Sequence, residues 1–77
     1  MTTPHEIGLA VRTARKTMGL RQPELAAAAG VGLRFLVELE RGKPTVRLDR
    51  VLAVLQVLGL DLRVAPRGGT SEGPAAS

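Results

Sequence analysis

Apolar residues along most of the chain recur every three or four positions, the spacing typical of amphipathic helices. In the first such stretch one helical face carries Ile7, Ala10, Val11, Ala14 and Met18. Thr3, Pro4 and Glu6 precede this face in the pattern of a helix start, because a Thr cap and a Glu three residues later bind free backbone N–H groups. We therefore expect a first helix over about residues 4–18, which ends at Gly19.

Two shorter helices are expected next, over about residues 22–29 and 32–41. Their apolar faces carry Leu25, Ala26, Ala29, Leu36 and Leu39. Gly30 lies between them and permits the left-handed backbone conformation that a sharp turn needs. The small side chain of Ala26 lets the third helix cross the second closely. The pattern is typical of a helix-turn-helix, whose second helix can lie in the major groove of DNA.

A fourth helix is expected after the loop that begins at Gly42. Thr45 is its expected N-cap, and Gly59 is expected to end it. Its main apolar stripe is formed by Leu48, Val51, Leu52, Leu55 and Leu58. Val54 and Val57 add apolar surface on a second side, which is more than one small core would use.

The segment after the fourth helix alternates between apolar and polar residues, which predicts a short strand. The segment consists of Leu60, Asp61, Leu62, Arg63 and Val64. A single strand leaves backbone groups unpaired, so we expect it to pair with the same strand of a second copy, as a homodimer interface. If the two-fold axis passes through Leu62, Asp61 lies opposite Arg63 of the partner. The alternative is an extended tail that lies on its own helices.

Composition limits the classes of function that remain open. Eleven Lys and Arg against seven Asp and Glu give a net charge of +4, which attracts polyanions such as DNA. The chain has no cysteine, and His5 alone cannot form a metal site, so no cofactor is expected. No signal peptide or membrane-spanning run is visible, which makes a cytoplasmic protein the default. We see no catalytic set of nucleophile and base, so an enzyme is not expected.

The final stretch from Pro66 has almost no apolar content. Its composition of Gly, Ser, Pro and Ala predicts disorder, because little burial can offset the entropy of ordering. We therefore expect one domain over residues 1–65 and a disordered tail over 66–77.

Basic and polar residues lie on both flanks of the third helix, where they can bind DNA phosphates. The expected phosphate contacts are Arg21, Gln22, Arg41, Lys43, Thr45 and Arg47. The exposed face that can read bases consists of Gly32, Leu33, Arg34, Val37 and Glu38. Arg34 is the best reader, since a guanidinium can bind guanine O6 and N7 together, and Glu38 can accept a hydrogen bond from the cytosine amino group. Phe35 suits helix packing better than base contact.

Arg15 and Glu40 are expected to form a structural ion pair. Glu40 follows Leu36 and Leu39 on the buried side of the third helix, where a carboxylate needs a partner. Arg15, late in the first helix, is the most plausible one. Such a pair fixes orientation more than it adds net stability, because desolvation offsets much of the attraction.

These features together resemble the Xre/Cro family of helix-turn-helix regulators. The matching residues in the first half are Arg12-x-x-Arg15-x-x-x-Gly19-Leu20-x-Gln22-x-x-Leu25-Ala26-x-x-x-Gly30-Val31. They continue as Leu36-x-x-Leu39-Glu40-x-Gly42-Lys43. The later run Leu48-x-x-Val51-Leu52-x-Val54-Leu55-x-x-Leu58-Gly59-Leu60-x-Leu62 is similar to one branch, the HipB-type antitoxins.

The resemblance implies a compact all-α domain of four or five helices whose C-terminal strand pairs across a homodimer. It also implies binding to a palindromic operator, repression of the protein's own operon and a HipA-type kinase toxin as partner. Two alternatives stay open. One is a stand-alone or phage-like transcriptional regulator without a toxin, and the other is a protein-interaction module that uses Leu33, Phe35 and Val37.

Overall fold

The computed structural model describes residues 2–66, and over this range the chain is all-helical. The four helices are α1 (Pro4–Thr17), α2 (Gln22–Ala29), α3 (Leu33–Glu40) and α4 (Leu48–Val57). None of them is long and apolar enough to cross a bilayer. The compact helical domain expected from the sequence is confirmed, with four helices in the described range. Apart from Pro66, the tail expected to be disordered lies outside the described residues.

The signals that begin and end α1 and α2 act as the sequence predicts. The Thr3 hydroxyl accepts a hydrogen bond from the Glu6 N–H at 3.1 Å, and the Glu6 carboxylate accepts one from the Thr3 N–H at 3.0 Å. Gly30 ends α2 in the left-handed conformation at φ 71°. The next N–H, that of Val31, donates to the Ala26 carbonyl at 3.0 Å and closes the turn into α3.

The four helices enclose one small apolar core. Helix α1 packs on α3, and α2 packs on both α3 and α4. The buried side chains are Val11, Leu25, Ala26, Leu36, Leu39, Val51, Val54, Leu55 and Leu58. Ala26 lies among them and is almost fully buried, as close packing of α2 requires. The core therefore holds the two helices of the helix-turn-helix on a platform made by α1 and α4.

Helix α1 approaches the end of α3 so closely that glycine is required at two positions. A Cβ atom at Gly8 would collide with the carbonyl oxygen of Leu39 and would lie 2.9 Å from that of Glu40. Gly42 has a φ of 86°, and a Cβ there would lie 2.9 Å from the Cα of His5. Both contacts bring the α1 backbone against the last turn of α3.

The expected apolar stripe of α4 is partly wrong. Leu48 and Leu52 are 59 % and 45 % exposed, whereas Val54 is fully buried. The core-facing stripe is Val51, Val54, Leu55 and Leu58. This series has the same three- and four-residue spacing as the expected one, so periodicity alone could not choose between two apolar faces. The packing of α2 against α4 decides which face is buried.

Three smaller expectations also fail. Thr45 does not cap α4, because the helix begins at Leu48 and its N-cap is Arg47, without a side-chain cap. Ala10 and Met18 are exposed although they share the spacing of the core residues. Ala10 lies at the margin of the apolar stripe of α1, and Met18 is the C-cap that follows the helix, so spacing alone does not decide their burial.

The segment after α4, residues 60–66, forms neither helix nor strand within the described single chain. Leu60 packs against the core, and its N–H donates to the Leu55 carbonyl at 2.9 Å. Residues 61–66 are exposed. Pairing of this segment with a second copy stays a prediction.

Candidate nucleic-acid interface

A buried hydrogen-bond network fixes α3 relative to α1 and α2. Arg15 Nε donates to Glu40 Oε2 at 2.7 Å, and Arg15 Nη2 donates to Glu40 Oε1 at 3.0 Å. Arg15 Nη1 also donates to the Leu20 carbonyl oxygen at 2.9 Å. The hydrogen bond to Glu40 raises the pKa of Arg15 above its ordinary value, and burial opposes this only in part. The Arg15 guanidinium therefore stays charged, and its hydrogen bonds to Glu40 set the position of the candidate recognition helix.

Gln22 joins this network instead of extending its side chain into solvent. Its Nε2 donates to Glu40 Oε1 at 3.1 Å, and the residue is partly buried. The N-cap before it is Arg21, whose backbone N–H donates to Glu24 Oε1 at 2.7 Å while the residue itself stays exposed. The first-turn N–H groups of a helix lack intrahelical partners, and Pro23 has none to offer. A phosphate at this end of α2 would therefore meet the N–H groups of Gln22 and Glu24.

An open pocket beside this network carries positive charge. It has a volume of about 310 Å³ and is lined by Arg12, Arg15, Gln22, Val37, Glu40 and Arg41. Arg15 and Glu40 neutralise each other, so the charge left at the pocket is that of Arg12 and Arg41. Both of these arginines are exposed. The pocket thus joins the start of α2, the end of α3 and the middle of α1 around a cationic surface.

Arg12 is a member of this surface that the sequence reasoning missed. In the sequence, Arg12 is recognised only as part of the family motif, and no contact is predicted for it. The available signal was its position one helical turn before Arg15, which places both guanidinium groups on the same side of α1. The neighbours of Arg12 on α3 could not be assigned until the crossing of α1 and α3 was known.

The outer face of α3 presents the residues expected to read bases. The Arg34 side chain is 91 % exposed, and Leu33 is exposed in the first turn. Val37 lies between this face and the cationic pocket. Gly32 is the N-cap of α3, and a Cβ there would meet open space. Phe35 instead packs against the core, so it does not add an aromatic ring to this face.

Glu38 lies between two cations on the same face. Its Oε1 is 3.2 Å from Lys43 Nζ, and its Oε2 is 3.5 Å from Arg34 Nε. The hydrogen bond from Lys43, with a smaller contribution from Arg34, holds the pKa of the Glu38 carboxyl below its usual value. A residue expected to read bases and one expected to bind phosphate are therefore paired with each other in the free protein.

The loop from α3 to α4 contains the last expected phosphate contacts. Thr45 is exposed. Arg47 forms two hydrogen bonds with Asp49, Nη2 to Oδ2 at 2.7 Å and Nε to Oδ1 at 3.1 Å. This pairing lowers the pKa of the Asp49 carboxyl. Arg47 thus pairs with Asp49 at the start of α4 and does not line the cationic pocket with Arg41.

The arrangement offers hydrogen-bond donors and positive charge over an exposed helix, which suits an anionic polymer. No group of three or more His, Asp or Glu side chains converges within residues 2–66. Backbone N–H groups, guanidinium groups and an ammonium group are the kinds of donor from which phosphates and base edges can accept hydrogen bonds.

Comparison with known proteins agrees with this geometry. The helix-turn-helix family model HTH_3 matches residues 11–64. An uncharacterized HTH-type transcriptional regulator of Sinorhizobium fredii, y4mF, is 54 % identical over 66 residues, which cover 86 % of this chain and 87 % of the relative.

Solved structures show the same fold. A HipB–O4 20mer complex aligns with a TM-score of 0.77 and 22 % identity over 87 % of this chain and 94 % of the other. A HipB variant in an O2 20mer complex aligns equally well, over 87 % of this chain and 93 % of its own. The structural likeness supports the fold, and the family match together with the relative establishes the membership. The chain belongs to the Xre-type helix-turn-helix family of transcriptional regulators.

Proposed function

We propose that this protein is a sequence-specific, duplex-DNA-binding repressor that reads the major groove with α3. The observation that carries the proposal is the exposed face of α3 between two cationic flanks. One flank is the α2 start with Arg12 and Arg41, and the other is Lys43 in the following loop. Phosphate contacts at both flanks would fix the register of the helix, and the side chains between them would contact base edges.

Within this proposal the residues divide into two groups. Phosphate contact is assigned to Arg21, Gln22, Arg41, Lys43, Thr45 and Arg47, with Arg12 added from the structure. Base contact is assigned to Gly32, Leu33, Arg34, Val37 and Glu38. Gln22 would act mainly through its backbone N–H, because its side-chain amide is bonded to Glu40.

The test compares two arginines of the same interface. Removal of Arg34 should reduce discrimination between a selected duplex and random duplex, because a bidentate contact to guanine contributes about 1–3 kcal/mol of specificity. Removal of Arg41 should weaken binding to both duplexes to the same extent. Fluorescence anisotropy of labelled duplexes with the Arg34→Ala and Arg41→Ala variants measures both effects. A wild-type protein that is folded but binds no duplex at low salt would contradict DNA binding itself.

We further propose that the protein works as a homodimer on a palindromic operator. Leu62 and Val64 are 41 % and 96 % exposed beyond α4, and Leu48 and Leu52 expose apolar surface on α4 itself. Exposed apolar residues in such number favour an interface. Pairing of two 60–64 segments across a two-fold axis would give their unpaired backbone N–H and C=O groups hydrogen-bond partners. It would also place Asp61 opposite the partner's Arg63. A two-fold dimer would present two α3 helices to two half-sites one turn of DNA apart.

An antitoxin role is the more specific form of this proposal, with a HipA-type kinase as the partner and repression of its own operon as the outcome. The similarity to HipB structures over most of the chain favours it. The test is co-purification with the product of the adjacent reading frame, followed by footprinting on the upstream DNA of the same operon. A folded protein that protects its upstream DNA but has no kinase-like neighbour would favour the stand-alone regulator instead.

A further inference from the structure

The Glu38 carboxylate lies in the last turn of α3, where folding stability does not account for it. Negative charge at this end faces the partial negative charge of the helix dipole, which is unfavourable. Its ion pairs with Lys43 and Arg34 involve side chains with substantial exposure, Glu38 itself being 31 % exposed. Pairs of this kind contribute little to stability. A role in binding therefore explains the residue better than a role in folding.

The end of α3 also differs from the ends of the other three helices. After α1, α2 and α4, the residue behind the final glycine is Leu20, Val31 or Leu60, and each packs against the core. After α3 this position is Lys43, whose N–H donates to the Glu38 carbonyl at 3.1 Å. An apolar residue is usual here because it packs back on the helix. The equivalent backbone bond closes the other three helices, but only after α3 does it place an ammonium group beside a carboxylate, that of Lys43 beside Glu38.

We propose that Glu38 is a specificity-determining residue that opposes binding to DNA without the recognition sequence. In the free protein it holds the Lys43 ammonium and the Arg34 guanidinium, two cations that DNA would bind. Docking must separate Lys43 from Glu38, and the phosphate oxygens then repel the released carboxylate. The free-energy cost of this separation and repulsion is offset only where a base offers the Glu38 carboxylate a hydrogen-bond donor, such as the N4 amino group of cytosine. The inference rests on the proposed binding of DNA by α3.

The experiment measures the affinity of the full chain and of its Glu38→Gln variant for two DNA probes. One probe is a pool of random-sequence duplexes, and the other is a duplex selected from that pool by the wild-type protein. We expect the variant to bind the random pool about tenfold more tightly and to lose about tenfold in its preference for the selected duplex.

Two controls separate this effect from a general change in charge. Glu6→Gln removes the same charge from the first turn of α1, where the glutamine amide oxygen can still accept the hydrogen bond from the Thr3 N–H. It should leave the preference for the selected duplex unchanged. In a Lys43→Ala background, Glu38→Gln should raise the affinity for random duplexes by a smaller factor than it does in the otherwise wild-type protein. The reason is that one of the two cations paired with Glu38 is already absent. Glu38→Gln should keep its melting temperature within about 4 °C of the wild type, as expected for an exposed substitution.

The outcomes distinguish this inference from the proposed function. If the wild type binds duplex DNA and Glu38→Gln binds the random pool no more tightly, the inference is overturned while DNA binding stands. If Glu6→Gln tightens binding to the random pool as much as Glu38→Gln does, the inference is also overturned, because the effect is then one of net charge. If neither protein binds any duplex, the proposed function itself is contradicted.

Discussion

Arg15 and Glu40 face each other across the α1–α3 crossing and are joined by two parallel hydrogen bonds of 2.7 and 3.0 Å. Their side chains are only 10 % and 4 % exposed. The same two groups bind the Leu20 carbonyl and the Gln22 amide, so one network connects α1, the turn after it, α2 and α3. The orientation of the candidate recognition helix thus depends on a charged pair inside an otherwise apolar domain.

Removal of either partner of this pair should destabilise the fold strongly. Arg15→Met and Glu40→Leu should each lower the free energy of unfolding by about 3 kcal/mol, because each leaves one buried charge unpaired. The double variant should lose less than either single variant, since an apolar pair leaves no charge uncompensated. Urea denaturation followed by circular dichroism measures all three.

Arg12→Ala is the matched control for that series, because it removes an exposed arginine one turn earlier on α1. It should change the free energy of unfolding by less than about 0.5 kcal/mol, as surface substitutions usually do. If the losses of the two single variants simply add in the double variant, the two charges do not act as a pair.

Gly8→Ala should reverse the usual effect of a glycine-to-alanine change within a helix. Alanine normally stabilises a helix interior by about 1 kcal/mol. Here the new methyl group would collide with backbone carbonyl oxygens at the end of α3, and backbone cannot move aside cheaply. We expect a net loss of about 1–3 kcal/mol, the range typical of overpacking.

Gly32→Ala is the comparison for Gly8→Ala, because a methyl group at Gly32 meets no atom within 4 Å and φ there is −72°. Thermal denaturation of the two variants should place Gly8→Ala well below Gly32→Ala. Equal melting temperatures would mean that α1 and α3 lie further apart than described.

Arg12→Ala should also weaken DNA binding without changing its sequence preference. Its guanidinium lines the cationic pocket beside Arg41 and the start of α2, where we expect a phosphate. Loss of one phosphate contact should reduce the slope of log affinity against log salt by about 0.9. Anisotropy titrations over a range of salt concentrations measure this slope. A changed preference with an unchanged slope would make Arg12 a base reader instead.

Leu62→Pro should convert the expected dimer to monomers in sedimentation velocity, because proline removes an N–H from the pairing segment. Asp61→Arg should weaken the dimer by placing like charges opposite each other, and the double variant D61R/R63D should restore it. Met18→Ser removes an exposed apolar side chain near the end of α1 and should leave the dimer intact. A Leu62→Pro protein that remains dimeric would place the interface elsewhere.

The Glu38 carboxyl should titrate below the ordinary range of glutamate. Lys43 is the main cause of the lowered pKa, and Arg34 contributes less. Lys43→Ala should therefore raise the Glu38 pKa more than Arg34→Ala does. Because the charged form is favoured in the folded state, the pairing is present at neutral pH and is lost as pH falls through the lowered pKa. Carboxyl carbon chemical shifts over an acid titration give the Glu38 pKa in each variant. A higher Glu38 pKa in Arg34→Ala than in Lys43→Ala would identify Arg34 as the main partner.

Helix positions could be predicted from the sequence because their signals are local. The capping pair of Thr3 and Glu6 and the turn at Gly30 depend on residues within one or two helical turns of each other. The pairing of Arg15 with Glu40 was expected for a different reason. A carboxylate among buried leucines needs a partner, and few cations were available to it.

Local spacing could not decide which of two equivalent apolar faces becomes buried. On α4 the face with Val54 enters the core, whereas Leu48 and Leu52 remain exposed, and both faces have helical spacing. For the same reason the sequence could not predict the position of Arg12 in the cationic pocket. Its neighbours there, Val37 and Arg41, are distant from it in sequence.

The sequence by itself determined the four helices, their ends apart from the start of α4, and the glycine turn of the helix-turn-helix, because short-range hydrogen bonding and backbone freedom govern these features. Only the tertiary structure decided how the helices pack. Packing in turn decides which side chains line the cationic pocket between α1, α2 and α3. Packing depends on contacts between distant segments, as in the approach of Gly8 to the α3 carbonyl groups.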